Sequence, residues 1–117
     1  MKRVLIADDT MFMRYILKDM LVENGFEVVG EAVDGEDAIF KYKELKPDIV
    51  TMDITMPNVS GIKALQEIVN FDNRAKVVMI SSMGQKELVS QAIISGAKSF
   101  IIKPFKVEHV VKILNQL

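Results

Sequence analysis

The feature that most restricts the fold of this chain is a regular alternation between two hydrophobic periodicities. Short β-rich segments recur along the sequence, and between them apolar residues return at the helical spacings of three and four. Strands are predicted over residues 4–7, 27–31, 48–52, 76–80 and 99–102. The first, third and fourth segments are almost wholly apolar, which is typical of strands buried on both faces of a parallel sheet.

Five helices are predicted from the apolar spacing between and after these strands. They cover residues 13–21, 38–45, 62–69, 88–93 and 107–117. Gly25 and Gly96 are expected to end the first and fourth helices, Lys46-Pro47 to end the second, and Ser60 to cap the start of the third. Strands and helices that alternate in this way form an open parallel sheet with helices on both faces, so a doubly wound α/β fold is predicted.

Length and charge limit the remaining classes of protein. The 117 residues suffice for one domain, so a single domain over 1–117 with no output domain is expected. Because 15 basic and 16 acidic side chains nearly balance, no general affinity for nucleic acid is expected. The absence of cysteine excludes disulfides and thiolate sites. No apolar run is long enough for a signal peptide or membrane insertion, so a cytoplasmic protein is expected.

Polar residues follow the predicted strands at the points where those strands end. Because parallel strands end at one edge of a sheet, the residues there should converge. They are Asp8-Asp9 after the first strand, Asp53 after the third, Ser81 after the fourth and Lys103 after the fifth. Singly, most have an ordinary explanation as a helix cap, a turn aspartate or a loop hydroxyl. Lys103 differs, since its apolar neighbours in sequence require an outward path or an acidic partner.

Three converging carboxylates predict either a retained proton or a bound cation, because they would otherwise repel one another. An all-oxygen ligand set favours a hard ion, with Mg²⁺ preferred and Mn²⁺ or Ca²⁺ as substitutes. Nucleotide binding is not expected, because the turn after the first strand is acidic and no glycine-rich phosphate loop occurs. The single histidine, His109, lies in the last helix, so a Ser/His/Asp hydrolase is not expected either.

Together these residues resemble the receiver domain of bacterial two-component response regulators, over the whole chain. The matching positions are Asp8-Asp9, Asp53, Met56-Pro57 with Gly61, Ser81 and Lys103-Pro104. The segments Asp53-Ile54-Thr55-Met56-Pro57, Ser82-Met83-Gly84-Gln85 and Ile102-Lys103-Pro104-Phe105 are most similar to the chemotaxis members of the family. The resemblance implies a flavodoxin-like sheet of strand order 2-1-3-4-5, with the first and third strands side by side.

The resemblance also implies a chemical role for the acidic residues. Asp53 would be the nucleophile that accepts a phosphoryl group from a phosphohistidine. Asp9, Asp53 and the Thr55 backbone carbonyl would bind Mg²⁺ directly, and Asp8 would act through a water. The chain would then be a phosphoacceptor that assists its own phosphorylation and dephosphorylation, and not a classical enzyme.

Lys103 and the hydroxyl of Ser81 would each contact a phosphoryl oxygen. Ser81 stands where threonine is commoner in the family, and it keeps the hydroxyl while losing a methyl group. Phe100 occupies the aromatic switch position without a tyrosine hydroxyl, so an outward signal would depend on ring packing alone. The Lys103-Pro104 peptide is expected to be cis, because the lysine must turn back to Asp53 before the last helix begins.

The implied partners are proteins: a sensor histidine kinase (CheA-like), a flagellar switch protein or another protein target, and a phosphatase. Alternatives are the receiver domain of a larger, for example DNA-binding, regulator and an adaptor that kept the fold without phosphorylation. The intact set of site residues argues against the adaptor. An aspartyl-nucleophile phosphatase of the haloacid-dehalogenase kind is also conceivable from the fold, but it needs an aspartate where Thr55 stands.

Overall fold

Five strands alternate with five helices in the computed structural model, which describes residues 1–117. The strands are β1 Arg3–Ala7, β2 Glu27–Ala32, β3 Ile49–Asp53, β4 Val77–Ser82 and β5 Ser99–Lys103. The helices are α1 Met11–Glu23, α2 Gly35–Leu45, α3 Gly61–Phe71, α4 Lys86–Ile94 and α5 Val107–Asn115. Every predicted element is therefore present and in the predicted order. None of the helices is long and apolar enough to span a membrane.

All neighbouring strands run parallel, and their order is β2-β1-β3-β4-β5. This confirms the doubly wound α/β fold and the strand order that the family resemblance implied. Alternate strand residues point to opposite faces, so the sheet separates two apolar cores. One core of 17 buried residues lies under α2, α3 and α4, and one of 12 buried residues lies under α1 and α5.

The ends of the helices follow the local signals in the sequence. Lys46 adopts a left-handed conformation with φ 46° at the end of α2, and Gly25 and Gly96 have positive φ beyond the ends of α1 and α4. The Ser60 hydroxyl oxygen accepts a hydrogen bond of 3.2 Å from the backbone N–H of Lys63, as predicted for the cap of α3.

The predicted elements differ from the observed ones by one to three residues at one or both ends, and two of these differences show the physical cause. The third strand continues to Asp53, because Asp53 still pairs with Ile80 in the ladder between β3 and β4. The fifth helix ends at Asn115 and not at the terminus, because the backbone N–H groups of Gln116 and Leu117 donate to carbonyls three residues back and not four.

Gly61 places the start of α3 directly against the end of β3. Its backbone N–H donates to the carbonyl oxygen of Ile54 at 2.8 Å. A Cβ atom at this position would lie 2.0 Å from the carbonyl oxygen of Asp53, closer than any side chain can approach. The absence of a side chain at Gly61 is thus required for Asp53 to keep its present backbone position.

We expect the substitution Gly61→Ala to destabilise the protein by about 3 kcal/mol or more, because the new methyl group must displace backbone. Urea denaturation of the purified variant measures the loss. Gly25→Ala is the matched control, since Gly25 has φ 87° and open space around it, so its cost is limited to backbone strain of about 1–2 kcal/mol. Equal losses in the two variants would contradict the steric argument.

Candidate functional site

Three carboxylates meet at the carboxyl edge of the sheet, where β1 and β3 end side by side. Ala7 of β1 pairs with Met52 of β3, so the next residues, Asp8 and Asp53, leave neighbouring strands at the same level. One oxygen each from Asp8, Asp9 and Asp53 lies within 4.8 Å of the others. Asp8 and Asp53 are buried and Asp9 is exposed. The parallel register therefore creates the acidic cluster that the strand-end positions predict.

Lys103 is the cation that faces this cluster. Its Nζ lies 3.5 Å from Asp53 Oδ2 and 3.6 Å from Asp8 Oδ2. The lysine ends β5, and it reaches the aspartates past the end of β4, where Ser82 is its partner in the ladder. The interpretation that Lys103 needs an acidic partner is consistent with these distances. The Lys103-Pro104 peptide bond is cis.

The electrostatic environment of Asp53 disfavours its charged form. Burial raises the pKa of the Asp53 carboxyl above its usual range, and the neighbouring Asp8 raises it further. The ammonium of Lys103 and a hydrogen bond of 3.4 Å from the backbone N–H of Thr55 act in the opposite direction, and the net pKa change remains upward. The upward change in the pKa of Asp53 therefore comes mainly from burial, since Lys103 lowers this pKa more than Asp8 raises it.

The two carboxylate oxygens of Asp8 have different surroundings. Oδ1 accepts hydrogen bonds from the backbone N–H of Thr10 at 2.9 Å and from its hydroxyl at 3.0 Å. Oδ2 is buried and has no hydrogen-bond partner, although Lys103 lies 3.6 Å away. Thr10 is the N-cap of α1, with no side-chain bond to the helix, so neither Asp8 nor Asp9 acts as a helix cap. A buried carboxylate oxygen without a partner is typical of a place that a cation can occupy.

Arg14 is a supporting residue that the sequence did not reveal. Its Nη1 donates to the backbone carbonyl of Asp8 at 2.8 Å, and its Nε donates to Glu31 Oε1 at 3.1 Å. Arg14 thereby ties the turn after β1 to the neighbouring strand β2. The available signal in the sequence was a charged residue among the apolar positions of α1. That signal does not identify the partner Glu31, which lies 17 residues away.

Ser81 and Phe100 lie on adjacent strands beside the acidic cluster. The hydroxyl oxygen of Ser81 is buried and has no hydrogen-bond partner. Phe100 on β5 is 39% exposed. Together with the loop after β4, the two residues line a cavity of about 260 Å³. By contrast, His109 lies in a separate pocket between β5 and α5, away from the aspartates.

A second feature missed by the sequence predictions joins the two loops beside Asp53. The Nε2 of Gln85 donates to the hydroxyl of Thr55 at 2.9 Å, and the Oε1 of Gln85 accepts a hydrogen bond of 2.7 Å from the backbone N–H of Ser82. Gln85 is the N-cap residue of α4, but its side chain does not cap that helix. It bridges the β3–α3 and β4–α4 loops.

Comparisons with known proteins agree with this geometry. The family model of the response regulator receiver domain matches residues 4–115. The chain is 56% identical to the chemotaxis protein CheY of Thermotoga maritima over 116 residues, covering 99% of this chain and 97% of the relative. It is 54% identical to CheY of Bacillus subtilis, covering 97% and 95%. A chain in the crystal structure of the CheX–CheY–BeF3–Mg²⁺ complex from Borrelia burgdorferi has a TM-score of 0.94 at 42% identity, covering 98% of this chain and 87% of that one.

The raised pKa of Asp53 predicts that Asp53→Asn stabilises the cation-free protein at pH 7 by a few degrees in melting temperature. The wild-type carboxyl binds its proton more tightly when folded, so its contribution to stability is complete below its unfolded pKa. That contribution is lost as the pH rises through the higher folded value. Thermal melts in chelator should therefore show the gain at pH 7, and the gain should shrink towards pH 4. A variant less stable than wild type at pH 7 would contradict this.

Proposed function

The chain belongs to the response regulator receiver domain family, and from that premise we propose that it is switched by phosphorylation of Asp53. It is a CheY-like receiver domain of a two-component system. The single observation that carries the proposal is the buried Asp53 carboxylate, held beside Asp8 and Asp9 with Lys103 Nζ at 3.5 Å. This arrangement supplies a nucleophile and charged groups around it, which is what phosphoryl transfer chiefly needs.

In the proposed reaction, a carboxylate oxygen of Asp53 attacks the phosphorus of a phosphohistidine on a partner kinase. The new oxygen–phosphorus bond forms as the nitrogen–phosphorus bond breaks, and the imidazole nitrogen of the kinase keeps the electron pair. The ammonium of Lys103 stabilises negative charge on the phosphoryl oxygens. The Ser81 hydroxyl, which is buried and without a partner, donates a hydrogen bond to another of them.

The residues present fit a divalent cation. Asp8 Oδ2 is buried without a hydrogen-bond partner, and oxygens of all three aspartates lie within 4.8 Å of one another. We propose that Asp9, Asp53 and the carbonyl of Thr55 hold Mg²⁺, with Asp8 acting through a water, and that Mn²⁺ or Ca²⁺ can substitute. When bound, the ion neutralises charge on the carboxylates and the phosphoryl group.

The proposed output is docking on another protein. As Ser81 moves towards a phosphoryl oxygen, we propose that the Phe100 ring turns into the 260 Å³ cavity that both residues line. This change would alter the face formed by α4, β5 and α5. The proposal is supported by the present half-exposed position of Phe100 and by its lack of a hydroxyl, which leaves ring packing as the means of coupling.

Chemotaxis is the system that we propose, because relatives named CheY are 56% and 54% identical over nearly the whole chain. The partners would be a CheA-like histidine kinase, a flagellar switch protein or another protein target, and a phosphatase. Such partners would place the chain in the cytoplasm, with residues 1–117 acting as a single receiver domain. Thr55, two residues after Asp53, is not the aspartate that a haloacid-dehalogenase phosphatase requires.

We expect the wild-type protein to gain the mass of one phosphoryl group when it is incubated with acetyl phosphate and Mg²⁺, as measured by intact mass spectrometry. Asp53→Asn should gain none, because it lacks the nucleophile. Asp19→Asn is the matched control, since Asp19 is exposed on α1 and is not part of the acidic cluster. Wild-type uptake in Asp53→Asn would show that another residue accepts the group.

The cation proposal predicts that Mg²⁺ stabilises the fold. At a concentration about 100 times its Kd, the gain should be about 2.7 kcal/mol, measured as a rise in melting temperature. Asp9→Asn should weaken Mg²⁺ binding by about tenfold or more, the effect of losing about 1.4 kcal/mol, because one charged ligand is removed. Asp19→Asn should retain the full rise. A normal Mg²⁺ response in Asp9→Asn would remove Asp9 from the ligand set.

A further inference from the structure

The carboxamide of Gln85 joins the two loops that flank Asp53. On one side its Nε2 donates to the Thr55 hydroxyl at 2.9 Å, and on the other its Oε1 accepts from the Ser82 backbone N–H at 2.7 Å. Thr55 lies two residues after the nucleophile, and Ser82 directly follows the Ser81 hydroxyl. Gln85 is half-buried, although the residues between it and Ser81 are exposed. Both polar groups of one side chain are thus engaged across the edge of the site.

Met83 and Gly84, the two residues between the end of β4 and Gln85, are exposed. Gly84 has φ 90°, and no atom outside its immediate neighbours would lie within 4 Å of a Cβ there. The Ser81 hydroxyl makes no hydrogen bond, and the loop lines the 260 Å³ cavity. The two hydrogen bonds of the Gln85 side chain, one accepted and one donated, therefore join the end of β4 to the β3–α3 loop.

We propose that Gln85 is a positioning residue that holds the β4–α4 loop in its arrangement without a phosphoryl group. The inference rests on the proposed function, because it concerns the loop that would close on a phosphorylated Asp53. A backbone shift that carries Ser81 towards Asp53 also displaces the Ser82 N–H, since the two residues share a peptide bond. The hydrogen bond from Ser82 to Gln85 must then lengthen or break.

The direction of the effect follows from this geometry. A side chain that makes a hydrogen bond in one arrangement of the loop and not in the other favours the first arrangement by the free energy of that hydrogen bond. Removing the Gln85 carboxamide should favour the arrangement in which Ser81 contacts the phosphoryl group. Gln85→Ala should therefore bind beryllofluoride with Mg²⁺ about threefold to tenfold more tightly than wild type, the range expected from the loss of one neutral hydrogen bond. Phosphorylation by acetyl phosphate should accelerate by a similar factor.

The control is Gln91→Ala, which removes the same side chain from an exposed position on α4. NMR supplies a readout that general loosening would not produce, because the Ser82 amide resonance should shift in Gln85→Ala before any ligand is added, while Gln91→Ala should leave it in place. Thr55→Val removes the acceptor of the Gln85 Nε2 and keeps the backbone carbonyl. It should reproduce part of the increase in affinity, and the double variant should add little to Gln85→Ala.

Two outcomes would overturn the proposal. Beryllofluoride affinity in Gln85→Ala equal to that in Gln91→Ala would show that the bridge has no influence on the loop. Weaker affinity would show that Gln85 supports the phosphoryl-bound arrangement instead. Failure of the proposed function would give a different result from failure of the Gln85 proposal. In that case the wild-type protein itself would bind no beryllofluoride and gain no phosphoryl mass. If Gln85→Ala no longer unfolds cooperatively, the beryllofluoride affinity of Thr55→Val alone tests the proposal.

Discussion

Like charges are held together at one edge of this protein by the packing of the sheet beneath them. Asp8 and Asp53 follow β-strand residues that are completely or almost completely buried, and the pairing of Ala7 with Met52 keeps them level. Carboxylates confined in this way disfavour ionisation, as the raised pKa of Asp53 indicates. The ammonium of Lys103 opposes this rise in pKa without abolishing it. The proposed divalent cation would neutralise further negative charge at this edge and so allow an anionic phosphoryl group to approach.

The site has a rigid part and a part with few restraints. The rigid part is anchored by backbone, since Gly61 packs against the carbonyl of Asp53 and Arg14 binds the carbonyl of Asp8. The other part is the end of β4 with the exposed loop that follows it, where the buried Ser81 hydroxyl has no hydrogen-bond partner. A nucleophile that must be aligned with an incoming phosphorus benefits from the first arrangement. A hydroxyl that must respond to the new charge benefits from the second.

The cavity beside Ser81 connects this chemistry to the surface. This space is open to the surface, and it adjoins a phenylalanine that is 39% exposed. In the proposed switch, movement of one small side chain is converted into repacking of a large ring. Because Phe100 has no hydroxyl, burial of apolar surface and steric fit are the interactions available to stabilise its inward position. The proposed restraint by Gln85 would act one step earlier, on the loop that follows Ser81 and Ser82.

Local patterns in the sequence determined the elements and their order. Short β-rich segments and apolar residues at the helical spacing predicted every strand and helix, because each pattern reflects which faces of an element must be buried. The acidic strand-end residues were predictable for the same reason, since parallel strands end at one edge. Tertiary structure alone decided the contacts between side chains from separate elements. The bonds of Gln85 to Thr55 and of Arg14 to Glu31 join residues 30 and 17 positions apart. They depend on how the loops pack over the sheet, which no local periodicity records.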